Sequence, residues 1–125
     1  MSDLNISTRD VKGITVIDIE GRIALGDSSA KLHQSLKGLV EDGKKHVLIN
    51  LAKVSGIDSS GLGTLVAGYT TIERAGGQLK LENLSDRALE LMTITKLFTV
   101  FEIFDNEDAA IGSFGQAGTA SGTNA

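Results

Sequence analysis

The residues of this chain best suited to chemistry are Asp58-Ser59-Ser60, set within Gly56-Ile57-Asp58-Ser59-Ser60-Gly61-Leu62-Gly63. A carboxylate beside two hydroxyls can cap a helix, favour an anion, supply a nucleophile or accept a phosphoryl group. Nucleophilic catalysis needs a nearby base, and the only histidines are His33 and His46. The patterning below puts His33 mid-helix and His46 at the end of a strand opposite Ser59, so neither completes a triad. Gly-x-Ser-x-Gly is not matched at Ser59 or at Ser60. The phosphate-binding Gly-x4-Gly-Lys pattern lacks its lysine, and Gly61 and Gly63 are followed by Val66 rather than a third glycine. Two lone histidines without a carboxylate cluster at ligand spacing also make a poor metal site.

The elements around the cluster decide what it can do. His46-Val47-Leu48-Ile49-Asn50-Leu51 is short and branched enough to be a buried strand. Beyond the cluster, Leu62, Leu65, Val66, Tyr69 and Ile72 fall at helical spacing. The acid and hydroxyls therefore sit at a helix N-terminus, where unpaired N–H groups and the positive end of the dipole meet. Asp58 or Ser59 can simply cap that helix, with Gly61 and Gly63 allowing close packing on the sheet. Each glycine costs about 1 kcal/mol relative to alanine in a helix interior, which suggests that something approaches this backbone closely. A serine here can also carry a phosphate without unfolding the domain. The added charge of about −1.5 to −2 would repel a partner packed on the same rim.

The remaining elements follow in order. Leu4–Ser7 and Ile14–Ile19 read as strands of an antiparallel hairpin turning through Asp10–Gly13, with Arg22-Ile23-Ala24 extending the second past a kink at Gly21. Asp27 or Ser28 can cap a helix with Leu32, Leu36, Leu39 and Val40 inward, stopped by Gly43. After Gly76-Gly77, Gln78–Glu82 alternates as a strand. Ser85 caps a third helix with Ala88, Leu89 and Met92 inward. Phe101–Phe104 is a fifth strand, and Asp105 or Asn106 starts a last helix. From Gly115 no large apolar group remains, so a mobile tail over 115–125 is expected behind a domain spanning 1–114.

These elements predict a single α/β domain, ordered β-β-α-β-α-β-α-β-α. Its mixed, mostly parallel sheet would have about five strands, with about four helices and one antiparallel edge. The loops Ala24–Ser28 and Ala52–Ser60 both follow strands and precede helices, so they share the carboxyl rim where sites gather.

The whole chain sets broader limits. At 125 residues, 41% hydrophobic and 22% charged, it is long and apolar enough to bury one core. No apolar run approaches the roughly 20 residues needed to span a bilayer, and Met1-Ser2-Asp3 opens no export signal. With no cysteine, that points to the cytoplasm. A net charge of −4 and few aromatics argue against a nucleic-acid surface, and Lys44-Lys45 reads as a solvated loop.

The order of elements, with Ile57-Asp58-Ser59-Ser60-Gly61-Leu62-Gly63 after a buried strand, strongly resembles the anti-sigma factor antagonists of the STAS domain family. The resemblance runs from Leu4 to Phe114. It includes the Gly21-Arg22-Ile23 turn and the segment from Leu97-Phe98 to Phe104. It implies a STAS-like domain and partner switching. The unphosphorylated antagonist binds an anti-sigma factor that is also an ATP-dependent serine kinase, which frees the sigma factor. Phosphorylation ends the contact, and a metal-dependent serine phosphatase restores it. On that resemblance Ser59 is the phosphate acceptor, and Ile57, Asp58, Ser60, Gly61 and Leu62 lie in the docking surface. Asp27 and Ser28 either join this surface or cap their helix.

The domain itself would be no enzyme and would need no cofactor, since magnesium and ATP belong to the kinase. No nucleic acid and no direct membrane contact are expected. Two alternatives stay open: a STAS-type scaffold or accessory subunit of a membrane transport complex, and a small enzyme using Ser59 or Ser60 as nucleophile.

Overall fold

The computed structural model describes residues 4–24 and 26–120, with the side chains of Asp27 and of 115–120 outside that description. The chain begins with a hairpin of β1 (Asn5–Val11) and β2 (Ile14–Ile23). Its turn is only two residues, Lys12 and Gly13, with φ of 55° and 85°. Paired positive φ values match the right-handed twist of the strands. The Gly13 N–H donates to Asp10 Oδ1 at 3.1 Å, fixing the register at Val11↔Ile14. The first strand thus runs past Ser7 to Val11, and the turn is tighter than the sequence suggests.

The chain then alternates through α1 (Asp27–Glu41), β3 (His46–Ile57), α2 (Ser59–Arg74), β4 (Gln78–Glu82) and α3 (Asp86–Thr95). A 3-10 turn at Leu97–Thr99 leads to β5 (Ile103–Phe104) and α4 (Glu107–Ala120). The strands lie in chain order, β1-β2-β3-β4-β5, with β1 antiparallel to β2 and the other pairs parallel. This is the expected α/β fold, with a five-stranded mixed sheet and four helices.

Alternation along the strands sends side chains to two covered faces. Ile17, Ile19, Val47, Ile49, Leu51, Leu79 and Leu81 point to one face, under Leu32, Leu36, Leu62, Leu65, Ile72 and Met92 of α1, α2 and α3. Ile14, Val16 and Leu48 point to the other, under Ala110, Ile111 and Phe114 of α4. Helices α1 and α2 approach closely where Gly68 meets Leu36. Among the described residues no helix is long and apolar enough to cross a membrane.

Several local expectations change. Gly26, at φ 101°, occupies the α1 N-cap without a side-chain cap bond, so Ser28 does not cap that helix. Strand β3 continues through Ala52–Ile57, which the sequence suggested as loop, because β2 stays paired with it to Ile23↔Ile57. The pairing shifts register between Asp18 and Glu20 and again between Gly21 and Arg22. Bulges of this kind bend a ribbon and strengthen its twist. In α3, Leu89 is exposed while Leu91 and Met92 turn inward. Phe101 is buried but precedes β5. The tail expected from Gly115 begins on α4, and 121–125 lie outside the described residues.

Candidate functional site

Asp58 follows β3 and opens α2 as its N-cap, in extended conformation at φ −96° and ψ −177°. Its Oδ1 accepts the Gly61 N–H at 2.8 Å, and its carbonyl accepts the Leu62 N–H at 2.9 Å. These bonds satisfy donors that a helix start otherwise leaves unpaired. The Asp58 N–H donates to the Ile23 carbonyl at 3.2 Å, tying the end of β3 to the end of β2. Gly61 packs on the same Ile23, against both its carbonyl and its side chain, and a Cβ there would have no room. The close approach anticipated at this helix start comes from the protein's own backbone. Gly63 differs, since a Cβ there meets nothing within 4 Å.

Ser59 is the first residue of α2 and is exposed. No acidic residue follows in the first turn of that helix. Added negative charge on Ser59 would therefore meet the positive end of the helix dipole, with the capping Asp58 as its adjacent anion. Ser60 is half-buried, and its carbonyl accepts the Thr64 hydroxyl at 3.1 Å. Leu62 is 3% exposed and belongs to the core, so it supports the surface from beneath.

The second loop reaches the same rim through Ile23 and Ala24. Ser28 is buried and its hydroxyl is engaged at Ala24, accepting that residue's N–H at 2.8 Å and donating to its carbonyl at 2.9 Å. Ser29 donates to the same carbonyl at 2.6 Å. Ser28 therefore holds the loop in shape rather than facing solvent. The Asp27 side chain lies outside the described residues.

Ile57 is half-buried and lines a groove of about 190 Å³ between β3 and α3, with Gly56, Ala88, Leu91 and Ile94. Ile94 is 72% exposed at the mouth of this groove. No local pattern announces this groove, although Ile94 falls outside the inward stripe of α3.

The STAS domain family matches residues 5–110. The chain belongs to that family. This STAS domain is 32% identical over 109 residues to the anti-sigma-B factor antagonist of Bacillus subtilis (strain 168), a match covering 87% of this chain and 98% of that protein. Its fold is shared with an anti-sigma factor antagonist from Mycobacterium paratuberculosis, at a TM-score of 0.78 and 21% identity over 90% of this chain and 94% of the other. It is shared too with the phosphorylated form of the Bacillus cell fate determinant SpoIIAA, at a TM-score of 0.67 and 18% identity over 88% and 97%.

Away from Ser59, this STAS domain carries a polar row across its second face. Asp18, Asn50 and Glu82 stand side by side on β2, β3 and β4. Asn50 Nδ2 donates to Asp18 Oδ1 at 2.8 Å, and Asn83 Nδ2 donates to Asn50 Oδ1 at 3.0 Å. Arg9 bridges Asp18, at 2.7 Å from Nε, and Glu107 of α4, at 2.6 Å from Nη2. Those hydrogen bonds hold the Asp18 and Glu107 carboxyls below their usual range, chiefly through Arg9. No set of three or more His, Cys, Asp or Glu among the described residues is placed to hold a metal ion.

Proposed function

We propose that this STAS domain is an anti-sigma factor antagonist that works by switching partners. Unphosphorylated, it binds an anti-sigma factor that is also a serine kinase, and the sigma factor is released. Phosphorylation of Ser59 ends the contact, and a serine phosphatase resets it. The observation that carries this reading is Ser59, exposed as the first residue of α2 and backed by a junction packed closely against Ile23. The relative in Bacillus subtilis is by name an antagonist of an anti-sigma factor. A phosphorylated protein of the same fold, SpoIIAA, indicates that the architecture tolerates the added group.

The docking surface centres on Ser59, with Asp58, Ser60 and Ile57 around it, Gly61 and Leu62 beneath it, and the Asp27-Ser28 turn alongside. The domain acts in the cytoplasm by binding alone, without catalysis and without a cofactor of its own. The phosphoryl group moves from the γ-position of the kinase's ATP to Ser59 Oγ, whose proton leaves to the kinase, and ADP departs.

The test is to incubate the protein with ATP and a kinase-type anti-sigma factor from the same genome, then map the modified residue. Phosphate on Ser59 is expected, with loss of the complex, and Ser59→Ala should bind without being modified. Phosphate on another serine, or none, overturns the assignment. Unchanged affinity of Ser59→Asp would overturn the repulsion argument.

A further inference from the structure

The underside of α4 holds a group that the docking site does not use. Glu82 is 0% exposed, at the carboxyl end of β4, and neither of its carboxyl oxygens finds a donor among the described residues. The group it faces is the carboxyl of Glu107, in the first turn of α4. Glu82 is buried while Glu107 stays partly open to water, so ionising Glu82 beside an ionised Glu107 is costly, and below its own titration Glu82 holds a proton that it can donate to Glu107.

Arg9 decides which. Its guanidinium makes two bonds to Glu107, at 2.8 Å from Nη1 and 2.6 Å from Nη2, and two more to Asp18. Glu107 is therefore kept ionised, and the proton resides on Glu82. Burial and the neighbouring Glu107 push the Glu82 carboxyl up to about 7. The other charged groups nearby do not reverse this. Asp18 on β2 adds negative charge, and Arg9 on β1 opposes it. Lys53 on β3 acts on Asp18. Lys80, two residues back on β4, is directed at Ser113 (2.9 Å) and Glu102 (3.2 Å).

We propose that Glu82 and Glu107 form a one-proton latch that holds the start of α4 on the sheet and loosens when Glu82 ionises. The pair is well placed for this, because the apolar patch under α4 is small, Ile14, Val16 and Leu48 with Val11 and Phe104 at its edge, against the larger cluster on the other face. Arg9 to Glu107, Lys80 to Ser113 and the rings of His46 and Phe114, 5.7 Å apart, add to it. A raised carboxyl favours the docked state fully below its free value, and that advantage disappears as pH rises to the docked value. The opening equilibrium of α4 should rise about tenfold per pH unit from the ordinary glutamate range to about 7, then level off.

Amide hydrogen exchange on the full chain, corrected for intrinsic rates, reads this directly. Protection over Ala110–Phe114 should be lower than over Leu65–Ile72 of α2. It should fall steeply between about pH 5 and about pH 7 and flatten beyond. Glu82→Gln, which keeps the shape without the charge, should abolish the slope. A flat wild-type profile, an unchanged slope in Glu82→Gln, or equal protection in α4 and α2 would each overturn the latch. Should that variant fail to fold, the carbon-13 carboxyl titration of wild-type Glu82 decides. A midpoint near 7 supports the latch and an ordinary glutamate midpoint overturns it.

Discussion

Gly61 lies against Ile23 so closely that a methyl group on it would press into the Ile23 carbonyl oxygen and sit 2.7 Å from Cγ2 of the same residue. That carbonyl also accepts the Asp58 N–H. Gly61→Ala must therefore lever α2 away from the end of β2. The helix propensity gain of about 1 kcal/mol does not offset a backbone clash, and a net loss of about 1–3 kcal/mol is expected in chemical denaturation. Gly68→Ala provides the contrast. Its methyl meets the end of the Leu36 side chain, which borders a groove of about 240 Å³ and has room to shift, so with the helix-propensity gain the change in stability should stay within about 1 kcal/mol.

Gly63→Ala should do the opposite. Nothing within 4 Å opposes the new methyl, so replacing a helical glycine should stabilise the fold by up to about 1 kcal/mol. The same methyl adds bulk at an exposed position one turn beyond Ser59, beside the proposed docking surface. A higher melting temperature together with weaker binding of the kinase-type partner is the expected pair of results.

Asp58 acts on the helix as its cap. Asp58→Ala should cost about 1 kcal/mol, while Asp58→Asn, which can accept the same Gly61 N–H, should cost little. Phosphorylation of Ser59 in Asp58→Asn should match the wild type, because the cap rather than the charge sets the backbone there. Parallel melting curves and single-turnover phosphorylation rates check both halves.

Acid should remove what Arg9 contributes. Asp18 and Glu107 have lowered carboxyl values in the fold, so their stabilisation is present above the unfolded carboxyl range and vanishes as pH falls through the folded values. Arg9 is partly exposed, at 41%, so solvent screening limits the effect to about 1 kcal/mol. Arg9→Met should be less stable than wild type at neutral pH, with the gap closing as pH drops below about 4. Denaturant midpoints across a pH series measure it.

The order of elements was legible because each signal was local. Val47–Leu51 reads as an apolar run broken only at Asn50, Ser85 does cap its helix, and Asn106 does cap α4 through the Ala109 N–H. The Asp58-Ser59 junction followed from the strand and helix on either side of it. What stayed hidden depends on distant partners. The extension of β3 through Lys53, Ser55 and Gly56 has no apolar pattern, since it is held by pairing with β2 along one edge. Gln78–Glu82 alternates as though one face met solvent. Yet α4 covers that face, and Lys80 and Glu82 are buried. Arg9 and Glu107 stand 98 residues apart, beyond any periodicity a window of sequence can register.

Strand β3 outlasts its neighbour on one side. It parts from β4 at Asn50↔Glu82 but keeps company with β2 as far as Ile57. Past Asn50, one edge of β3 has no strand beside it, and α3 borders it instead, where Gly56 and Ile57 share a groove with Ala88, Leu91 and Ile94. The start of α2 inherits that asymmetry, tied to β2 on one side through Asp58 and Ile23 and flanked by an apolar furrow on the other. A protein that docks over the exposed Ser59 would meet pinned backbone along one margin and a fillable hollow along the other.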